Sequence, residues 1–125
     1  MAAGTLVSSG SSLNMPTGSG SERLRRATIH NLNADTQAIL TGAAGHIYTI
    51  ISVIFHDLQG AAGTIRMYVN TGSDNVFLVK DESHGTSETF VWNDKFVMEE
   101  DDILAVYNSV DNGDWIVSYI DQDWT

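Results

Sequence analysis

The last quarter of the chain constrains its fold most. From Phe96-Val97-Met98 the sequence passes through four consecutive acidic residues, Glu99-Glu100-Asp101-Asp102, into Ile103-Leu104-Ala105-Val106-Tyr107. It then turns through Asp111-Asn112-Gly113-Asp114 into Trp115-Ile116-Val117-Ser118-Tyr119-Ile120. Runs this short, rich in β-branched and aromatic residues and cut by turn signals, make strands. Asn-Gly tolerates positive φ at both central positions of a two-residue turn, so the last two strands are expected to form a hairpin.

The same rhythm runs upstream. Residues 27–33 read as a first strand, and 36–40 as either a short strand or a turn of helix. Residues 47–56 form the strongest apolar run, with Ile47, Ile50, Ile51, Val53, Ile54 and Phe55, and are expected to be a central strand covered on both faces. After Gly60-Ala61-Ala62-Gly63, residues 64–70 alternate, with Ile65, Met67 and Val69 on one face and Thr64, Arg66, Tyr68 and Asn70 on the other. Residues 76–81, 88–92 and 96–98 complete the series. About eight strands at spacings near ten residues, without an amphipathic helix, predict an all-β fold: an antiparallel β-sandwich or barrel.

A chain of 125 residues has room for one such core. Residues 1–26 divide off as an extended N-terminal arm, leaving 27–125 as the sandwich domain. The first 22 residues are dominated by glycine, serine and other small types, with Leu6, Val7, Leu13 and Met15 as sparse apolar anchors. Too little can be buried there to offset the entropy of ordering it alone. Laid on a neighbouring subunit, such an arm has the anchors to hold. Arg23, Arg25 and Arg26 sit at the junction and are half of the six basic residues. They read as a solvated strand entry or as a clamp for carboxylates on the next subunit.

Charge and composition exclude several classes. The net charge is −10, and 13 of the 16 acidic residues follow residue 73, against Lys80 and Lys95. Such a body repels nucleic acid, so no direct DNA or RNA partner is expected. No cysteine is present, which removes disulfides, thiolate metal sites and cysteine nucleophiles. No apolar run is long enough for a signal peptide or a membrane span, and the expected setting is soluble and cytoplasmic.

Catalytic and metal chemistry find little support. The acidic run lacks the alternating ligands and loop glycine of an EF-hand, and the Asn-Gly turn already accounts for Asp111, Asn112 and Asp114. His30, His46, His56 and His84 show no paired-ligand spacing, and His56 and Asp57, adjacent on a strand, point to opposite faces. Neither a Gly-x-Ser-x-Gly elbow nor a phosphate-binding glycine loop occurs. The expectation is a protein without catalytic residues, metal or cofactor. Among the aromatics, Trp92 and Trp115 read as core or interface residues. Trp124, beyond the last strand, is the candidate exposed aromatic, placed to plug a neighbour or the base of its own sandwich.

From residue 47 to 120, about three-fifths of the chain, the sequence resembles a loose family of tailed-phage virion proteins built as small jelly-roll-like β-sandwiches. The resemblance rests on Ile47-Tyr48-Thr49-Ile50-Ile51-Ser52-Val53-Ile54, Ile65-Arg66-Met67-Tyr68-Val69-Asn70 and Val76-Phe77-Leu78-Val79-Lys80-Asp81. It continues through Thr86-Ser87-Glu88-Thr89-Phe90-Val91-Trp92-Asn93-Asp94-Lys95, the acidic turn with its two strands, and Val117-Ser118-Tyr119-Ile120. The turn before Ile103 departs from that pattern, with Asp101 where a glycine is usual. The resemblance implies a bacteriophage structural protein located in the virion and assembled in the host cytoplasm. It implies a capsid decoration or cement protein, working as a homotrimer that contacts the major capsid protein or other virion proteins. Leu6, Val7, Leu13, Met15, Arg23, Arg25 and Arg26 are then the candidate contacts. The alternatives are a tail, collar or fibre adaptor of the same fold, or a carbohydrate-binding module for host attachment built on exposed aromatics.

Overall fold

The computed structural model describes residues 21–125, all-β throughout. Nine strands follow in order: β1 (Ser21–Leu32), β2 (Thr36–Thr41), β3 (His46–Asp57), β4 (Gly63–Asn70), β5 (Asn75–His84), β6 (Thr89–Trp92), β7 (Phe96–Met98), β8 (Ile103–Asn108) and β9 (Gly113–Asp123). One sheet has the order β1-β9-β3-β6, with β7 also pairing to β3, and the other has the order β2-β8-β4-β5. All pairings are antiparallel. Because β6 and β7 share one edge position on β3, the nine segments fill eight positions. The two sheets then read first-eighth-third-sixth and second-seventh-fourth-fifth, the order of a jelly-roll sandwich.

Period-two alternation fills the space between the sheets. From the first sheet come Ile29, Tyr48, Ile50, Val53, Phe55, Trp115, Val117 and Tyr119, and from the second Leu40, Ile65, Met67, Val69, Val79, Leu104 and Val106. The expected alternation of residues 64–70 holds, with Ile65, Met67 and Val69 buried and their neighbours half-buried. The segment at 36–40, open between strand and helix, is strand β2.

Four expectations change. Strand β1 begins at Ser21 instead of Ala27, because β9 is long enough to pair with it from Trp115 back to Asp123, and this draws the three arginines into the sheet. Strand β3 is central, but only one of its faces is covered by the other sheet: Tyr48, Ile50, Val53, Phe55 and Asp57 are buried, the other residues are partly exposed, and the alternation shifts by one between Ile50 and Ser52. The third change concerns Asn112-Gly113. It makes no hairpin, since β8 pairs with β2 and β4 while β9 pairs with β1 and β3, so the connection crosses between sheets. Asn112 does take positive φ, at 60°. Gly113 serves close approach instead: an added Cβ would lie 2.6 Å from the Asn108 side chain. Asn108 is fully buried and ties this corner, donating to Leu32 O and Val110 O and accepting from Trp115 Nε1 at 2.9 Å.

The fourth change is in the acidic turn, which is tethered as well as solvated. Asp102 Oδ2 accepts from Glu99 N at 2.9 Å, Gly42 N donates to Asp102 O at 2.8 Å, and Asp101 N donates to Gly42 O at 3.2 Å. Asp101 sits at φ 69°, the left-handed conformation that glycine adopts most easily, which is the physical content of its departure from the resemblance pattern.

Candidate functional site

The residues singled out in sequence fall in three places. Leu6, Val7, Leu13 and Met15 lie outside the described residues. The alternation of β1 puts Arg23 and Arg25 on one face, where Arg25 Nη1 lies 3.5 Å from Asp121 Oδ2, and Arg26 on the other beside Ser118. Arg23, opposite Asp121 in register, is exposed. Trp124 is half-buried, not exposed, with its indole nitrogen enclosed and unpartnered, and its backbone N–H bound to Gly45 O at 2.9 Å. Trp92 packs against the core and donates its indole N–H to Asp94 O at 2.8 Å. Both indoles are partly buried.

Arg25 belongs to a cluster that closes one end of the sandwich. Asp121, 2% exposed, accepts from His46 Nδ1 at 2.7 Å, and Tyr48 and Tyr119 stack beside it with ring centroids 4.9 Å apart. Burial, reinforced by the Asp121 carboxylate, pushes the Tyr48 hydroxyl above its ordinary pKa. At the other end Asp57, 1% exposed, accepts backbone N–H bonds from Gln59 at 2.9 Å, Gly60 at 3.3 Å and Ser87 at 2.9 Å. Burial alone would raise its pKa, but those three donors outweigh it and hold the carboxyl below its ordinary value. Both clusters spend their polar atoms inside the fold. Among the described residues, no three His, Asp or Glu side chains gather where they would hold a metal ion.

Among the described residues, what remains open is the outer face of the β1-β9-β3-β6 sheet. The registers place Leu24, Ile120, Thr49 and Val97 in one row across β1, β9, β3 and β7, and Thr28, Ile116, Ile54 and Val91 in another across β1, β9, β3 and β6. Leu24 is 73% exposed, Val97 51% and Val91 48%. Between the rows lie Arg26, Ser118 and Ser52, with Asp94 and Lys95 exposed in the link from β6 to β7. Polar pairs bound the face. At one end His30 Nδ1 donates to Asp114 Oδ1 at 2.8 Å, with His56 beside Thr89 Oγ1 at 2.7 Å, and at the other Gln122 Nε2 donates to Glu22 Oε2 at 3.1 Å. Two depressions, of about 320 Å³ and about 380 Å³, open on this sheet.

Sequence reading missed this face for an identifiable reason. Leu24, Ile116 and Ile120 were assigned to arm or strand without a sheet order, and only the order brings them together. The one signal in sequence was the near-continuous apolar run of residues 47–56, read as covered twice.

No protein-family model matches the chain, and no curated protein does. Two solved structures are similar to it in backbone. One is of Bacillus endospore appendages, described as a novel family of disulfide-linked pili, at 14% identity and a TM-score of 0.48, covering 90% of this chain and 97% of that one. The other is the capsid asymmetric unit of cyanophage Pam1, at 12% identity and a TM-score of 0.42, covering 93% of this chain and 96% of that one. Likenesses at this level assign the chain neither a family nor a function.

Proposed function

We propose that this chain is a non-catalytic structural subunit of a bacteriophage virion, a capsid decoration protein that reinforces the head shell by non-covalent contacts. The single observation that carries the assembly role is the outer face of the β1-β9-β3-β6 sheet: two rows of isoleucine, leucine and valine with one threonine in each, rimmed by polar pairs and left uncovered by the described residues. Monomeric proteins rarely leave so contiguous an apolar patch in water, and rimmed patches mark contact surfaces. The virion setting is supported by the resemblance of residues 47–120. The buried ends of the sandwich add to this, since Asp121, His46 and Asp57 are engaged within the fold. A subunit that binds the assembled shell and not the free capsid protein stabilises the shell by mass action alone.

In this reading the arm, with Leu6, Val7, Leu13 and Met15, reaches the shell, and the exposed Arg23, Arg25 and Arg26 follow it in sequence. Cosedimentation of the labelled full chain with particles lacking it tests the reading. The full chain is expected to pellet with the particles, and a variant lacking residues 1–20 to stay folded and remain in the supernatant. Equal pelleting of both removes the arm from the contact, and pelleting of neither removes the shell as partner.

A further inference from the structure

We propose that the partner on the outer face of the β1-β9-β3-β6 sheet is the same face of a second copy of this chain. The inference rests on the assembly reading above and names its occupant.

Charge is the first argument. Each copy carries −10, so two copies repel wherever acidic surfaces meet. The two rows contain no charged side chain, and the charges between them are Arg26 on β1 with Asp94 and Lys95 in the link from β6 to β7. Two copies can therefore meet here with the acidic turn of residues 99–102 and the acids of β5 kept away from the contact. A basic partner would be drawn to those carboxylates instead.

Relief is the second. A two-fold contact needs a patch that fits itself, offering both the projection and the recess. Here Ile116, Ile54 and Thr28 line one depression, Arg26 and Ser118 line another, and Leu24, Val91 and Val97 stand exposed beside them. An exposed side chain of one copy can enter a depression of the other.

Area is the third. Four strand positions spaced about 4.8 Å, crossed with the 11 residues of β9 at about 3.3 Å each, span roughly 700 Å². A standard stable interface buries about 800 Å² per partner, with an apolar centre and a polar rim. The His30–Asp114 and Glu22–Gln122 pairs stand where that rim belongs.

Sedimentation equilibrium of the full chain, without particles, decides the matter. The wild type and Val76→Glu, a control on exposed β5 of the other sheet, are expected to self-associate in the micromolar range. Ile116→Glu is expected to weaken association by more than about tenfold. Leu24→Glu, at a position already 73% exposed and so harmless to folding, is expected to weaken it as well, with near-ultraviolet dichroism of the buried Trp115 unchanged in both. A monomeric wild type overturns the proposal, as does association that survives both face variants. Loss of association on deleting residues 1–20 also overturns it, because the arm and not the second face is then the occupant. Particle binding is read separately, so failure of the virion reading leaves this result standing.

Discussion

Asp57 ends β3 with its carboxylate in the protein interior, and two separate loops close on it through the N–H groups of Gln59, Gly60 and Ser87. Hydrogen bonds to a charged acceptor are stronger than neutral ones, so Asp57→Asn is expected to cost about 2 kcal/mol at neutral pH. The sign of its pH dependence follows from the direction of the shift. The folded carboxyl lies below its ordinary value of 3.8, so its contribution is present above about pH 4 and is lost as pH falls through the lower folded value. Thermal unfolding of wild type and Asp57→Asn should therefore converge below pH 4, and curves that stay parallel to the acid limit would refute this account. None of this was legible in sequence. Asp57 read as half of a His-Asp neighbour pair, and its donors come from residues 2, 3 and 30 positions away.

At the scale of elements, glycines distinguish a close approach from a simple turn. Gly113→Ala sets a Cβ against the fully buried Asn108, which binds Leu32, Val110 and Trp115, so this corner has little room to yield. Gly72, at φ 98° with nothing within 4 Å of an added Cβ, carries only the backbone cost of a left-handed alanine. Denaturant unfolding should give a loss of about 3 kcal/mol for Gly113→Ala and about 1 kcal/mol for Gly72→Ala, and equal losses would mean that Asn108 does not brace the corner. The strands themselves were readable, because β-branched enrichment and period two are local properties. Which strands pair was not. Asn112-Gly113 looks the same whether the chain folds back on itself or crosses to the other sheet, and the difference lies in Asn108, whose partner Leu32 is 76 residues away. The start of β1 was misplaced for a similar reason, since what extends it to Ser21 is the length of β9 at the far end of the chain.

For the whole molecule, the jelly-roll order sets an apolar sheet face on one side of a strongly acidic body. Jelly-roll architecture was within reach of the sequence; the open face was not, because it is assembled from β1, β3, β6, β7 and β9. The charge makes a prediction of its own. Self-association through a mainly apolar face between two acidic bodies should tighten as salt screens their repulsion, whereas contacts held by ion pairs should loosen. Sedimentation at low and high sodium chloride concentration reads the difference directly, and weakening with salt would contradict an apolar contact.

The proposed place of this chain in a virion shell is tested most directly by counting it there. Quantitative mass spectrometry of purified phage particles from a host that carries the gene, with the major capsid protein as internal reference, gives copies per particle. A decoration protein is expected in the hundreds. A dozen or fewer would move the protein to the tail, and its absence from purified particles would contradict the virion assignment itself.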